Sequence, residues 1–379
     1  MTRKPKILLL TEWFVPGYRA GGPIRSCVNF AEQMSAHYDI YVLTTNQDYG
    51  DNTPYANIQP DTWIRSESNR YSVYYLDKKK AKTISRLIHE VNADFVYLNS
   101  MFAFHFSVLP VFLALFGKIN SKVVLAPRGM LHEGALQYKS FKKHLYLKFL
   151  KWFGASKVLS FHATDDQEKK DVRFFFRKAK MEVASNFTQK VTTTIEQSKK
   201  QAGELKLLFI SRISPKKNIH FLLEVLAQVS SEVSLTIVGP IEDTAYWDRC
   251  RTQIDRLPAN IHIEQIGALP YAEISKLYTS HHFFVLPSFG ENFAHAIYEA
   301  MAHGCPVLIS DQTPWKNLEE KEIGWDLSLS DPLLWHQTLQ KAINMDKNEY
   351  SVLSQKTLEY AKDYSDNSRL IEKYQQLFK

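Results

Sequence analysis

The chain has 379 residues, 45% of them apolar and 23% charged, with 47 Lys and Arg against 40 Asp and Glu. That length holds about two domains, and the composition excludes a disordered tail, a collagen-like fibre and a disulfide knot. The net charge of +7 favours anionic partners such as nucleic acid, acidic lipid or phosphorylated small molecules. Solubility alone explains it equally well.

Lys6–Leu10 is predicted as a buried first strand. Glu12 and Trp13 follow it with no small-residue cleavage site, which argues against a signal peptide. A loop with Gly21-Gly22 leads to a helix from Ile24 to Ala36 and a strand from Ile40 to Thr44. Asp48–Asp61 reads as loop, Ser72–Leu76 as strand and Ala81–Val91 as helix. The uncharged stretch Phe95–Gly117 holds Asn99, Ser100, His105, Ser107 and Pro110, which are costly in lipid. It reads as strand, turn and buried helix rather than a membrane span. Lys122–Ala126 and Val158–Ala163 are further strands. Asp165-Asp166 then precedes a helical pattern and reads as a helix cap.

Near residue 200 the texture becomes polar, which marks a linker. Strand and helix patterns then alternate again from Leu205 to Asp311, and a final helix ends near Phe378. The pattern predicts an α/β chain with two doubly wound domains, residues 1–190 and 204–363, joined by 191–203. Ligands of such domains sit at the carboxyl ends of the strands, here in a cleft between the two domains. The three cysteines Cys27, Cys250 and Cys305 are far apart, so neither a zinc site nor a disulfide framework is expected. A reducing compartment fits them.

Three motifs fall at strand ends. Gly290-Glu291-Asn292-Phe293 follows a strand, and Glu299 lies two turns beyond Glu291. The motif is expected to open a helix, with Glu291 at its start, so the two carboxylates share one face about 12 Å apart. That suits the two ends of an elongated ligand, with backbone N–H groups of Asn292, Phe293 and Ala294 available to hydroxyls or phosphate. A surface helix with two solvated acids fits the same spacing. Arg212 and Lys217 fall on a strand-to-helix loop where a diphosphate could be neutralised, or form a basic surface loop. Gly21-Gly22 allows close backbone approach to a phosphate, or makes an ordinary turn.

The order of these motifs resembles glycosyltransferase family 4, retaining enzymes of the GT-B fold, with two Rossmann-like domains facing each other across a cleft. The likeness is firmest over Lys206–Asp311. It implies that Arg212 and Lys217 grip the donor diphosphate and that Glu291 lies beside the transferred sugar. It implies that Asn292, Phe293 and Ala294 meet sugar hydroxyls and phosphate, and that Glu299 binds the ribose. Ile266 and Gly267 fall where the nucleobase is held, and Gly21 and Gly22 near the diphosphate. The resemblance further implies a UDP- or GDP-linked donor, no metal or other cofactor, and a saccharide or lipid-linked acceptor. No general base is assigned, because a leaving-group oxygen takes the acceptor proton. The terminal helix, within 364–379, is expected to pack back on the first domain, with packing on the second domain as the other arrangement. Many members carry a histidine after the strand that here runs into Pro127-Arg128-Gly129. Arg128 either contacts a phosphate or acceptor or structures a tight loop, and His132, four residues beyond, is a second candidate for that contact.

Lys139–Lys157 mixes lysines with Phe, Leu, Tyr and Trp, and Lys78-Lys79-Lys80 adds a second basic cluster. The helix either lies on an anionic membrane or packs its apolar side on the sheet. The expected setting is cytoplasmic, with peripheral membrane contact under the first reading. Two rivals remain. One is another GT-B nucleotide-sugar enzyme, such as a 2-epimerase. The other is a basic nucleic-acid-binding protein, which the confinement of the basic–aromatic mixture to one helix disfavours.

Overall fold

The computed structural model describes residues 3–132, 136, 140–191 and 200–379. The chain divides into two compact units. One runs through Phe187 and adds Asn367–Lys379; the other is Thr188–Asp366. Of the linker expected over 191–203, residues 192–199 lie outside the described residues.

The first unit is built on eight strands. In chain order they are β1 (Lys6–Leu10), β2 (Asp39–Thr45), β3 (Trp63–Arg65), β4 (Ser72–Leu76), β5 (Phe95–Leu98), β6 (Lys122–Leu125), β7 (Leu159–Ala163) and β8 (Lys180–Val183). Their order in the sheet is β3-β4-β2-β1-β5-β6-β7-β8, and every pairing is parallel except β3 with β4. β1 shows why the run KILLL is apolar throughout. Side chains alternate between faces along a strand. Leu8 and Leu10 enter the core on one face, Ile7 and Leu9 the core on the other. A parallel sheet covered by helices on both sides needs this pattern.

The terminal helix, Ser368–Leu377, belongs to this unit. Tyr374 stacks on Phe187 with ring centroids 4.3 Å apart, and its hydroxyl donates to the Ser185 carbonyl at 3.2 Å. Tyr374, Leu377 and Phe378 are all buried among Phe30, Tyr97 and Phe187. Tyr364 closes the preceding helix, Lys347–Tyr364, so the segment 364–379 is interrupted at 365–367.

The uncharged stretch Phe95–Gly117 contains β5, a turn and two short helical segments, Phe104–Val108 and Leu109–Leu115. Among the described residues, no helix is long and apolar enough to cross a membrane. Asp165 caps the helix Asp166–Phe175, its carboxylate accepting the Glu168 N–H at 2.7 Å.

The second unit has six parallel strands: β9 (Glu204–Ile210), β10 (Glu232–Val238), β11 (Ile261–Gly267), β12 (Phe283–Leu286), β13 (Val307–Ser310) and β14 (Gly324–Leu327). Their order is β11-β10-β9-β12-β13-β14. The direction of winding therefore reverses between β9 and β12. The carboxyl ends of the strands at such a reversal are the usual ligand position in an open α/β sheet.

Candidate functional site: the β9–β12 switch point

Two loops build the site. After β9, Ser211–Asn218 includes a single turn at Pro215–Lys217 that ends with Asn218 in the left-handed region, before the helix Ile219–Leu226. After β12, residues 287–294 run to the helix His295–Ala302. Ser288 ties the two loops together. Its hydroxyl donates to the Lys216 carbonyl at 3.2 Å, and the Phe289 N–H donates to the same carbonyl at 2.9 Å. Ser310, at the end of β13, donates to the Ser288 carbonyl at 2.5 Å.

Held this way, Lys217 Nζ donates to Glu291 Oε1 at 2.5 Å, with the two side chains only 12% and 11% exposed. Burial pushes the Glu291 carboxyl upward. The Lys217 ammonium, with help from the Ser288 hydroxyl and Lys216, outweighs it and holds the group below the usual glutamate range. Arg212 Nη1 donates to Glu242 Oε1 at 2.5 Å in a more open position. Lys216 completes the cluster. Burial lowers its pKa; the nearby Lys217 and Arg212 add to that, and Glu291 and Glu242 oppose it. Three cations thus face two carboxylates, a net positive site at the carboxyl edge of the sheet.

Gly239 lets the β10 loop approach this cluster. It has φ +142°, and a Cβ there would lie 2.0 Å from the Ser211 carbonyl oxygen. The loop it opens carries Glu242 to Arg212. The Gly239 N–H also donates to the Gly267 carbonyl at 2.7 Å, at the end of the edge strand β11. Ile266 and Gly267 therefore sit two strands from β9, at the same carboxyl edge.

The paired glutamates do not share a helix face. Ala294 takes a left-handed conformation, φ 58°, and the helix begins at His295. Glu291 is on the preceding loop, where it reaches Lys217. Asn292, Phe293 and Ala294 likewise precede the helix rather than forming its first turn. Phe293 is buried, and its carbonyl accepts the Trp315 indole N–H at 2.7 Å. Glu299 lies in the second turn, buried, with the Tyr278 hydroxyl donating to Oε2 at 3.5 Å.

The other expected residues lie in the first unit. Gly21, at φ 65°, caps the helix Gly22–Met34, and a Cβ there would meet nothing within 4 Å. Arg128 has φ 56° and donates from Nε to Asn99 at 2.7 Å, from Nη2 to Tyr97 at 2.9 Å and from Nη1 to Asn186. Gly129 beside it donates to the buried Glu168 at 2.6 Å. The Arg128 contacts tie the loop to Tyr97 in β5, to Asn99 just after it and to Asn186 beyond β8. His132 is at the surface, 3.2 Å from Asp171.

Sequence reading missed Lys216, Glu242, Ser288 and Tyr278. Lys216 directly precedes Lys217 in the sequence, and that doubling was the available signal. Ser288 lies two residues before Gly290, and Glu242 and Tyr278 come from other segments that carry no local signature.

Comparison with known proteins adds three findings. Residues 190–325 match the family described as Glycosyl transferases group 1. The O-antigen chain mannosyltransferase B of Escherichia coli is 31% identical over 108 residues, 28% of this chain and 28% of that protein. The alpha-monoglucosyldiacylglycerol synthase of Streptococcus pneumoniae is 31% identical over 121 residues, 31% of this chain and 27% of that protein. The matches thus span under a third of these relatives' lengths. Solved structures match over nearly the whole chain at low identity. Sucrose-phosphate synthase from Thermosynechococcus elongatus has a TM-score of 0.71 at 16% identity, covering 99% of this chain and 98% of that one. Anabaena HepE in complex with UDP-glucose has 0.69 at 16%, covering 98% of each. WaaG, a glycosyltransferase involved in lipopolysaccharide biosynthesis, has 0.65 at 15%, covering 98% and 99%. The fold is GT-B, and the Lys217–Glu291 site falls within the residues that match the glycosyl transferases group 1 family.

Proposed function

We propose that this chain is a retaining glycosyltransferase that moves a sugar from a UDP- or GDP-linked donor to a hydroxyl of a glycan or lipid-linked saccharide. The observation that carries the reading is the buried Lys217–Glu291 pair at the switch point, with Arg212 and Lys216 beside it. Preorganised cations of this kind stabilise charge that develops on a leaving group. In the proposed reaction the bond from the anomeric carbon to the diphosphate oxygen breaks, and the acceptor oxygen bonds to that carbon on the same face. The acceptor proton passes to a departing phosphate oxygen, so no side-chain base is required.

Lys217 and Arg212 hold the diphosphate, which competes with Glu242 for the arginine. Glu291 orients the sugar, and Glu299 anchors the ribose. Ile266 and Gly267 border the base, and the 292–294 segment meets sugar hydroxyls. Arg128 is assigned to loop structure, with His132 beside it at the surface. The reading is metal-independent, because the cations already present supply the charge. The relatives and neighbours support a role in surface polysaccharide or glycolipid synthesis. Three buried free thiols fit a cytoplasmic setting.

The test is to incubate the protein with UDP- and GDP-sugars and a mixture of glycan and glycolipid acceptors, with EDTA present. Release of one nucleoside diphosphate, with a product of unchanged anomeric configuration by NMR, is the expected result. An inverted product, or turnover only with added metal, contradicts the reading.

A further inference from the structure

The helix Ser140–Trp152 of the first unit is apolar on two sides. Leu147 and Leu150 on its inner side are buried in the core. At 3.6 residues per turn, Phe141, Leu145, Lys148 and Trp152 fall in an outward stripe about 60° wide. Phe141 is 81% exposed, Leu145 59% and Trp152 84%. A helix that is apolar all round is normally buried. This one leaves its outer stripe in the open.

At its end the stripe continues into neighbouring rings. Phe153 stacks on Phe149 at 4.2 Å and meets Phe116, 55% exposed, at 5.9 Å. An exposed patch of this kind marks an interaction surface.

The charge around it chooses the partner. On the helical wheel Lys142 and Lys151 flank the stripe on opposite sides. Between Asp94 and Asp165 the sequence has Glu133 as its only acid, against eight lysines and Arg128. A second copy of the chain on a two-fold axis would bring these lysines face to face. An anionic bilayer would instead receive the rings at headgroup depth and the ammonium groups at the phosphates.

We propose that this face docks on an anionic phospholipid surface, with the helix lying in the plane of the interface. The assignment is independent of the reaction the second unit performs.

Co-sedimentation with vesicles of phosphatidylcholine, and of phosphatidylcholine mixed with phosphatidylglycerol, tests it. The full chain is expected to bind the mixed vesicles and to be released by salt. Phe141→Ser and Trp152→Ser should each weaken binding about tenfold. Neutralising Lys142, Lys148 or Lys151 to Gln should cost about fivefold each. The sites are exposed, and unchanged thermal unfolding checks that each variant folds. As a second reading, an environment-sensitive dye on Leu145→Cys should shift to the blue with the mixed vesicles. No binding to mixed vesicles, equal binding by the variants, or an unshifted dye overturns the proposal. A dimer abolished by Trp152→Ser, without vesicle binding, overturns it too.

Discussion

Replacing Lys217 by alanine separates the electrostatics of the site from its catalysis. In the native pair, Glu291 titrates below an ordinary glutamate because Lys217 outweighs its burial. It therefore contributes stability that is present above the unfolded-state value and lost as pH falls through the folded one. Without Lys217, burial dominates and the balance reverses. The side chain is only 11% exposed, and a buried charge that loses its partner costs about 3–5 kcal/mol if it stays ionised. Protonation limits that cost, since holding the proton costs about 1.4 kcal/mol for each pH unit above about 4.3. The destabilisation of Lys217→Ala should thus be small near pH 4.5 and reach about 3 kcal/mol near pH 7, less whatever Lys216 compensates. Thermal unfolding of Lys217→Ala, Glu291→Gln and the double variant across that range measures it. Glu291→Gln should recover much of the loss at pH 7 and little at pH 4.5. A penalty independent of pH, or no rescue by Glu291→Gln, would refute the coupling. Turnover in Lys217→Ala should fall about 10²–10³-fold.

Glu242→Gln should release Arg212 and tighten nucleoside-diphosphate binding about twofold, the worth of a solvent-exposed pair; calorimetric titration reads this, and weaker binding would contradict it. Gly239→Ala should destabilise the second unit by about 3 kcal/mol, because its Cβ meets the Ser211 carbonyl at 2.0 Å, and an unchanged melting temperature would show that the close approach is not required. His162 is pushed down to about 3 by burial and the nearby Arg128, and lies 2.6 Å from the Tyr97 hydroxyl. It stays neutral in the fold while the unfolded chain takes up a proton, so stability should fall steadily below pH 6.5 at up to about 1.4 kcal/mol per unit. His162→Gln should flatten that slope in acid unfolding curves. Glu299→Gln should weaken donor binding by about tenfold with smaller effects on turnover, as expected for loss of a charge-assisted hydrogen bond; equal affinity would remove its ribose role.

Much of the frame could be read locally. Short apolar runs such as KILLL and FFVL are strands buried on both faces, and the loops after them hold the polar clusters. β3 was missed because Trp63–Arg65 is an edge strand of three residues with no apolar run. β14 begins at Gly324, whose absent side chain lets it lie against the Val307 backbone, a feature that only the partner strand explains. The loop bearing Arg212 and Lys217 was legible from its position after a strand. Their partners were not, because Glu242 and Glu291 lie 30 and 74 residues away along the chain. The glutamate spacing misled because the helix start depends on Ala294 adopting positive φ, which its sequence does not announce. Arg128 was ambiguous for a similar reason. Its partners Asn99, Asn186 and Tyr97 converge only when β5, β6 and the segment after β8 are assembled.

The most direct measurement is a thermal-shift panel with UDP, GDP, ADP and CMP, with and without EDTA, on the native chain and on Lys217→Ala. A ligand that binds only the folded state stabilises it by about 2.7 kcal/mol at a hundred times its Kd. The account expects one diphosphate to raise the melting temperature selectively, insensitive to EDTA, and expects that shift to vanish in Lys217→Ala. No shift with any nucleotide, or an equal shift in the variant, would contradict it.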